Sequence, residues 1–492
     1  MDDKKDIIRP IARNPRGFSD FRGAGLLHRH EVVSKILGAY QKSGFEYLET
    51  PAFEYADCLG KFLPDSDRPN EGVFALLDDD EQWMALRYDL TAPLARFVAQ
   101  NFDALPKPFR RCAAGPVWRN EKPGPGRFRE FWQCDADIIG SPRPEADAEI
   151  IATLSNGLAA TGIDKSKFVV KVSNRKLLDG LLGDIGVDPA DTFKKLTILR
   201  AVDKLDRLGE EGVALLLGAG RKDASGDFTK GAGLDEKSIA KVIAFTQTKR
   251  ETRQASLDAL SNVIGNTEIG NEGLEELSKI SLTLAALGLD EASAEFDPAI
   301  VRGLEYYTGT VFEAEFLGET IDEKGNPVRF GSVGSGGRYD DLVMRFKGER
   351  VPATGCSIGV SRLLAALSLS ESEKPAETGP VVILAMDNDQ IAGYFQMAQE
   401  LRNAGISAEV YLGTSGMKAQ MKYADRRNAP LVIMEGSNER AEGIVTIKDL
   451  ALGAKLATQI SDNEEWRKGR PAQSVVNRSD LAAEVKKLLS DD

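Results

Sequence analysis

Arginines crowd one short stretch of this chain. Between Lys107 and Arg129 the cations are Lys107, Arg110, Arg111, Arg119, Lys122, Arg127 and Arg129, and the single acid is Glu121. Guanidinium groups offer planar, paired donors that match phosphate oxygens, so the stretch reads as a polyanion site. The chain as a whole has 63 Lys+Arg against 76 Asp+Glu, a formal net charge of -13. A molecule of that sign repels polyanions at long range, so any such affinity is local, and a general DNA-coating role is excluded. The centre of the stretch, VWRNEKPGPGRFREF, reads as strand, Gly/Pro-rich loop, strand. Such a hairpin places Arg119 on one strand and Arg127 and Arg129 on or beside the loop, with Phe131 positioned to stack on a base. A solvated basic hairpin is the plain alternative.

Other chemistries are poorly supported. GSVGSGGRY from Gly331 lacks the third glycine of a dinucleotide fingerprint, and Gly60-Lys61 is followed by Phe62 where a P-loop needs Ser or Thr. GCSIG (Gly355 to Gly359) matches a nucleophile elbow, yet its base histidine normally follows the serine, and the only histidines are His28 and His30. Two histidines with that spacing also argue against a zinc site, so no protein metal ligands are assigned. Cys58, Cys112, Cys134 and Cys356 form no CxxC and read as free thiols of a reducing, cytoplasmic compartment. The N-terminus has no apolar leader, and no run approaches the ~18 apolar residues of a membrane span, so no membrane partner is expected.

The 492 residues, 42% of them hydrophobic, allow about three domains. Leu27, Val32, Val33, Ile36, Leu37 and Tyr40 follow a 3.6-residue period and predict a helix over Gly25 to Ser43, then a strand over Phe45 to Pro51. Strand-like runs at Trp83 to Arg87, Pro116 to Arg119 and Phe128 to Ile138, with a helix at Thr91 to Asn101, suggest an α/β (α+β) domain on an antiparallel sheet. Helical spacing dominates 174–289, and strand patterns return at Thr310 to Phe316 and Arg329 to Val333. The expectation is a sheet domain of 1–173 and 290–370 interrupted by a helical insertion. A polar linker, 371–379, leads to β-rich runs alternating with helices in 380–492, the pattern of a parallel or mixed α/β domain.

These residues carry a family resemblance. VWRNEKPGPGRFREFWQCDADI resembles motif 2 of class II aminoacyl-tRNA synthetases, GVSRL from Gly359 resembles motif 3, and the helix and strand ending at Pro51 fit motif 1. VRGLEYYTGTVFE from Val301 and GSGGRYDDL from Gly334 resemble the two histidine-specific signatures of the histidyl-tRNA synthetases, and the C-terminal segment is similar to that family's anticodon-binding domain. The resemblance implies a homodimer that uses ATP, with Mg²⁺, to activate L-histidine and pass it to histidine tRNA. It implies Arg119 and Arg302 as catalytic groups at the α-phosphate, and an ATP site of Arg119, Glu121, Arg127, Phe131 and Arg362, where Phe131 and Arg362 sandwich adenine. It implies histidine ligands Asp89, Thr91 and Gln133 for the ammonium group, Asp137 and Tyr307 for the ring with Tyr306 beside them, and Arg302 at the carboxylate.

Local alternatives remain: Asp89 could cap the helix that starts at Thr91, and the tyrosine pair could be strand core. Lys418, Lys422 and Arg426, with Arg427 adjacent, share a helical face that could meet tRNA phosphates or simply be solvated. The short EKPGPGRF loop lacks the glutamine many bacterial members carry, Glu305 replaces the usual Asp, and QCDAD and YDLT resemble the eukaryotic and archaeal style, which suggests a divergent bacterial branch. Two rivals remain: a histidine-binding regulatory subunit of ATP phosphoribosyltransferase, which shares the catalytic fold, and a class II synthetase for another amino acid.

Overall fold

The computed structural model describes residues 10–59, 72–122, 128–222, 226–300, 307–321, 327–370, 378–450, 452–453 and 472–490. The chain divides into two compact units, Met1–Ser372 and Glu373–Asp492.

In chain order the first unit carries β1 (Glu46–Tyr47), β2 (Phe53–Tyr55), β3 (Ala75–Leu77), β4 (Trp83–Leu86), β5 (Phe109–Trp118), β6 (Glu130–Ile139) and β7 (Phe168–Asn174). It continues with β8 (Gly220–Lys222), β9 (Phe228–Lys230), β10 (Ala294–Phe296), β11 (Thr310–Ile321), β12 (Pro327–Arg338) and β13 (Ala353–Gly359). Eight of these form one sheet in the order β1-β5-β6-β13-β12-β11-β7-β10. Every pair in it is antiparallel except the outermost two, β1 with β5 and β10 with β7. The strand predicted at Pro116 to Arg119 is only the end of β5, because Arg110 and Arg111 hide the earlier part from an apolar pattern. The strand predicted over Phe45 to Pro51 pairs only through Glu46–Tyr47.

Side chains on a strand alternate between faces, and here the two faces differ in kind. Cys112, Cys134, Ala136, Ile138, Cys356 and Ile358 lie in the main hydrophobic core with Val32, Ile36 and Tyr40 of the helix Ala24–Lys42 and with Ile150, Ile151 and Leu154 of the helix Pro144–Ala160. The other face of the same strands carries Arg111, Gln133, Asp135, Asp137 and Ser357. Glycines let this layer close up. A Cβ on Gly355 would stand 2.0 Å from Asp137 Oδ1, one on Gly337 would stand 2.8 Å from the Tyr307 ring, and one on Gly115 would stand 2.6 Å from Arg87 Nη2.

Six helices, from Arg175–Asp184 to Glu268–Ala286, and the hairpin β8–β9 lie between β7 and β10. Leu177, Leu181, Leu277 and Ile280 from the first and last of them share the core of Phe168, Val170 and Phe312, so this helical region is welded to the sheet at both ends. The hairpin left no signal in the sequence because its strands are three residues long and polar.

The second unit carries β14 (Val381–Ile383), β15 (Ala408–Val410), β16 (Leu431–Met434), β17 (Ile444–Asp449) and β18 (Gln473–Asn477) in the order β15-β14-β16-β17-β18. The first three are parallel, as strand-helix alternation predicts, while β17 and β18 add an antiparallel edge. Its core is Val381, Ile383, Tyr394, Met397, Leu401, Ile433 and Val445.

Candidate active site

The polar face of β5, β6 and β13 is a layer of mutually held buried groups. Register puts Asp137 opposite Arg111 on β5 and Gly355 on β13, Asp135 opposite Ala113 and Ser357, and Gln133 opposite Gly115 and Gly359. Arg111 is 1% exposed; its Nη2 donates to the carbonyl of Leu90 at 2.6 Å, and its Nε forms an ion pair with Asp137 Oδ2 at 3.3 Å that lacks hydrogen-bond alignment. The Tyr339 hydroxyl donates to the other Asp137 oxygen. Gln133 Nε2 donates to Ser357 Oγ at 2.8 Å, and Ser357 in turn bonds Asp135. Arg87, also buried, donates to the carbonyls of Thr50 at 2.8 Å and Pro116 at 3.1 Å beneath Gly115.

Burial pushes the Asp135 carboxyl up to about 7, with nearby Asp137 adding to the shift and Arg111 and Ser357 opposing it. Burial also raises Asp137 and Asp89, against the pull of Arg111 on the first and of the Ala92 amide on the second. Tyr307 is raised by burial and by the surrounding carboxylates. Arg111 is raised in spite of burial, because Asp137 and Asp135 outweigh its desolvation. Acids at this density suit a ligand that brings positive charge or hydrogen-bond donors.

Behind it, Arg338 donates to Asp147 Oδ2 and to the carbonyls of Ser141 and Arg143, each at 3.0 Å. Burial raises Asp147 to about 6, with Arg338 the main opposing influence. The Arg338 carbonyl accepts from the Thr308 amide at 2.8 Å, and its Cδ lies 3.1 Å from where a Gly309 Cβ would be. This pair therefore fixes the turn that carries Tyr307.

The residues singled out from the sequence fall into three groups. Asp89, Thr91, Gln133, Asp137 and Tyr307 are all half-buried or buried around this layer. Asp89 also caps the helix Thr91–Gln100, its Oδ1 accepting from the Thr91 and Ala92 amides at 3.2 and 2.9 Å, so both readings of that residue have a basis. Arg119 and Phe131 come together on the β5–β6 hairpin, with the guanidinium 4.9 Å from the ring centre and Nε donating to the Tyr88 carbonyl at 3.2 Å. Arg362 lies instead over Phe330, 5.6 Å from its ring centre, with Nη2 donating to the Phe330 carbonyl at 3.0 Å. Glu121 is exposed, and its carbonyl accepts from Arg129 Nε at 2.9 Å. Arg127, Arg302 and Tyr306 lie outside the described residues.

From the sequence, Arg111, Asp135, Ser357 and Tyr339 had no place in an acid-lined layer, and Arg111, counted there among the cations of a polyanion site, is spent on Asp137. Asp135 was readable, since Gln133, Asp135 and Asp137 alternate with Cys134 and Ala136 and must share a face. Ser357 sits within β13 and not at a strand-to-helix turn, so the elbow-like GCSIG is a strand whose glycine clears Asp137. Among the described residues no group of three or more His, Cys, Asp or Glu could hold a metal ion, and no helix is long and apolar enough to cross a membrane.

In the second unit, Lys418, Lys422 and Arg426 are exposed along the helix Met417–Arg426, whose opposite side buries Gln420 and Ala424. Gln420 holds the Ala385 carbonyl and amide at 2.8 and 2.9 Å, which fixes the helix's rotation. Arg427 is committed to a two-pronged bond with Glu409 at 3.0 and 3.1 Å.

Residues 17–363 match the family described as histidyl-tRNA synthetase, and residues 380–470 match an anticodon binding domain. The chain is 59% identical to a histidine--tRNA ligase of Caulobacter vibrioides, across 98% of this chain and 97% of the relative, and 53% identical to one of Bartonella bacilliformis, across 97% of each. A solved histidyl-tRNA synthetase from Nostoc is similar with a TM-score of 0.72 at 27% identity, covering 97% of this chain and all of that one.

Proposed function

The chain belongs to the histidyl-tRNA synthetase family, and on that premise we propose that it activates L-histidine with ATP and transfers the histidyl group to the 3′ end of histidine tRNA. In the first step the amino acid carboxylate attacks the α-phosphorus of ATP and pyrophosphate leaves. In the second, a terminal tRNA hydroxyl attacks the mixed anhydride and AMP leaves. Negative charge moves between phosphate oxygens in both, so positioning and fixed positive charge are the main contributions asked of the protein.

The observation that carries this reading is the pairing of an acid-lined buried layer on β5, β6 and β13 with an arginine on an aromatic ring at the end of the same hairpin. The acids suit the ammonium and ring N–H groups of histidine, and Arg119 suits the α-phosphate. Asp89, Thr91 and Gln133 would take the ammonium group, Asp137 and Tyr307 the imidazole with Tyr306 alongside, and Arg302 the reacting carboxylate. Arg119, Glu121, Arg127, Phe131 and Arg362 would hold ATP. With Arg362 over Phe330, a sandwich of adenine between Phe131 and Arg362 requires the base to lie between two separate aromatic-arginine pairs. Mg²⁺ would accompany ATP as its counter-ion.

A pocket whose buried acceptors demand a hydrogen-bonding ring rejects apolar amino acids by leaving those groups unpaired. The anticodon-binding match in the second unit favours tRNA charging over a purely regulatory histidine sensor. Lys418, Lys422 and Arg426 would supply phosphate contacts there, while Arg427 would act mainly through Glu409. Exposed Phe53, Tyr55 and Leu76, which the register places on one face of β2, β4 and β3, offer an apolar surface that supports a homodimer, and the compartment we assign is the cytoplasm.

ATP-pyrophosphate exchange with each amino acid in turn tests the reading. Exchange is expected with histidine alone and is expected to vanish in Arg302→Ala. Histidine binding without exchange in the unaltered chain would favour the regulatory role.

A further inference from the structure

The acceptor row on β6 holds one more carboxylate than the histidine ligands assigned above. Asp135 is 1% exposed and lies between Gln133 and Asp137 on the same face. Among the described residues, three oxygens in this row have no hydrogen-bond donor: Gln133 Oε1, Asp135 Oδ1 and Asp137 Oδ2. Asp137 Oδ2 at least has the Arg111 ion pair. Asp135 has no ion pair of its own among the described residues, because Arg111 is committed to Asp137 and to the Leu90 carbonyl. Gln133 and Asp137 stand four residues apart, about 13 Å of strand, so a ligand that reaches both must cross Asp135. An ionised carboxylate buried without a partner costs several kcal/mol, so the Asp135 carboxyl favours its neutral form until a ligand brings it a charged donor.

Resting on the reading of this layer as the histidine pocket, we propose that Asp135 is a further histidine-binding residue, accepting a hydrogen bond from the cationic end of the amino acid and releasing a proton as that charge arrives. In the empty pocket burial holds the Asp135 carboxyl near 7, so it carries a proton about half the time at pH 7 and more fully below it. The groups that face it are consistent with that state. Asp137 and Asp89 disfavour a further negative charge, Tyr307 stays protonated, Arg111 and Arg87 favour ionisation, and Ser357 on β13 bonds the ionised form. Cys134 and Cys356 stay protonated on the opposite face. When the ammonium group enters, its charge supplies the missing counter-ion and the carboxyl ionises. The proton leaves to solvent and the N–H to oxygen bond takes its place; no covalent bond in the ligand changes.

The test is titration calorimetry of L-histidine into the full chain in pairs of buffers with different ionisation enthalpies, which counts protons released per histidine bound. The unaltered chain is expected to release more than Asp135→Asn, by about half a proton at pH 7, the excess growing toward pH 6 and vanishing above about pH 8.5. Any proton lost by the imidazole itself is common to both and cancels. In exchange assays Asp135→Asn is expected to raise KM for histidine about ten- to hundred-fold while leaving KM for ATP in place. Ser357→Ala keeps the test alive should the Asn variant fold poorly: loss of that hydrogen bond moves the excess proton release to higher pH. Equal proton counts and equal histidine KM in Asp135→Asn, or a pH profile unmoved in Ser357→Ala, would overturn the proposal. Absence of histidine-stimulated exchange in the unaltered chain would overturn the pocket reading beneath it.

Discussion

Two regions of this molecule arrange polar residues at regular spacing, and they do opposite things with them. On β6, Gln133, Asp135 and Asp137 repeat every second residue, are 8%, 1% and 1% exposed, and depend on Arg111, Ser357 and Tyr339 for their bonds. On the helix Met417–Arg426, Lys418, Lys422 and Arg426 repeat every fourth residue and face solvent. In the first region the low-dielectric surroundings couple every charge to its neighbours. In the second, water and salt screen each cation, so each acts by itself. A polar row inside a protein is thus one unit of many parts, whereas a polar row on its surface is a sum.

The largest effect that would sharpen this contrast is expected from Arg111→Ala. It removes the buried cation that pairs with Asp137 and should lower unfolding free energy by about 3–5 kcal/mol, measured by denaturant titration. A loss below 1 kcal/mol would mean the layer is hydrated and the contrast false.

Asp135→Asn should reveal the pH dependence of the same coupling. A carboxyl at about 7 in the folded chain and about 3.9 unfolded binds more protons when folded, so its contribution to stability is greatest at low pH and declines as pH rises through 4 to 7. The stability of Asp135→Asn relative to the unaltered chain should therefore climb by about 2–3 kcal/mol between pH 5 and pH 8. A gap independent of pH would show that Asp135 is ionised in the folded protein throughout.

Gly355→Ala tests closeness instead of charge. Its new Cβ would collide with Asp137 Oδ1, so histidine KM should rise roughly ten-fold or more with ATP KM held, while the far end of the hairpin at Arg119 is undisturbed. An equal rise in both constants would point to a general distortion of the sheet.

The smallest effects belong to the second unit. Lys418→Ala, Lys422→Ala and Arg426→Ala should each raise tRNA KM a few-fold, add up in combination, reduce the salt dependence of tRNA binding by about 0.7–0.9 of a charge apiece, and leave exchange with histidine alone unchanged. Strong non-additivity among the three would erase the distinction between the two regions.

Much of this was legible in the chain. Periodicity located the helix Ala24–Lys42, the helical stretch after β7 and the strand-helix alternation of the second unit, because each has apolar residues at a repeat that only one element type can bury, and a Gly/Pro-rich loop between strand-like runs located the hairpin of β5 and β6. Composition placed the arginines on that hairpin, whereas Gln133 and Asp137 were singled out by the family resemblance alone. The full length of β5, the antiparallel edge of the second sheet and the hairpin β8–β9 were not legible, since their strands are short or interrupted by charge and gain their stability from neighbours distant in sequence.

What the sequence determined by itself is which residue types stand at which interval, and so the chemistry open to each element: cations for phosphates, acids and amides for an amino acid. Only the tertiary structure decided which of those charges lose their water. Arg111 and Arg110 are adjacent in sequence, yet one is sealed against Asp137 and the other pairs at the half-exposed edge with Glu149 at 2.5 Å, because adjacent residues on a strand face opposite sides of the sheet. Desolvation depends on what packs across that sheet from 20 to more than 200 residues away, and that is information no local stretch of sequence contains.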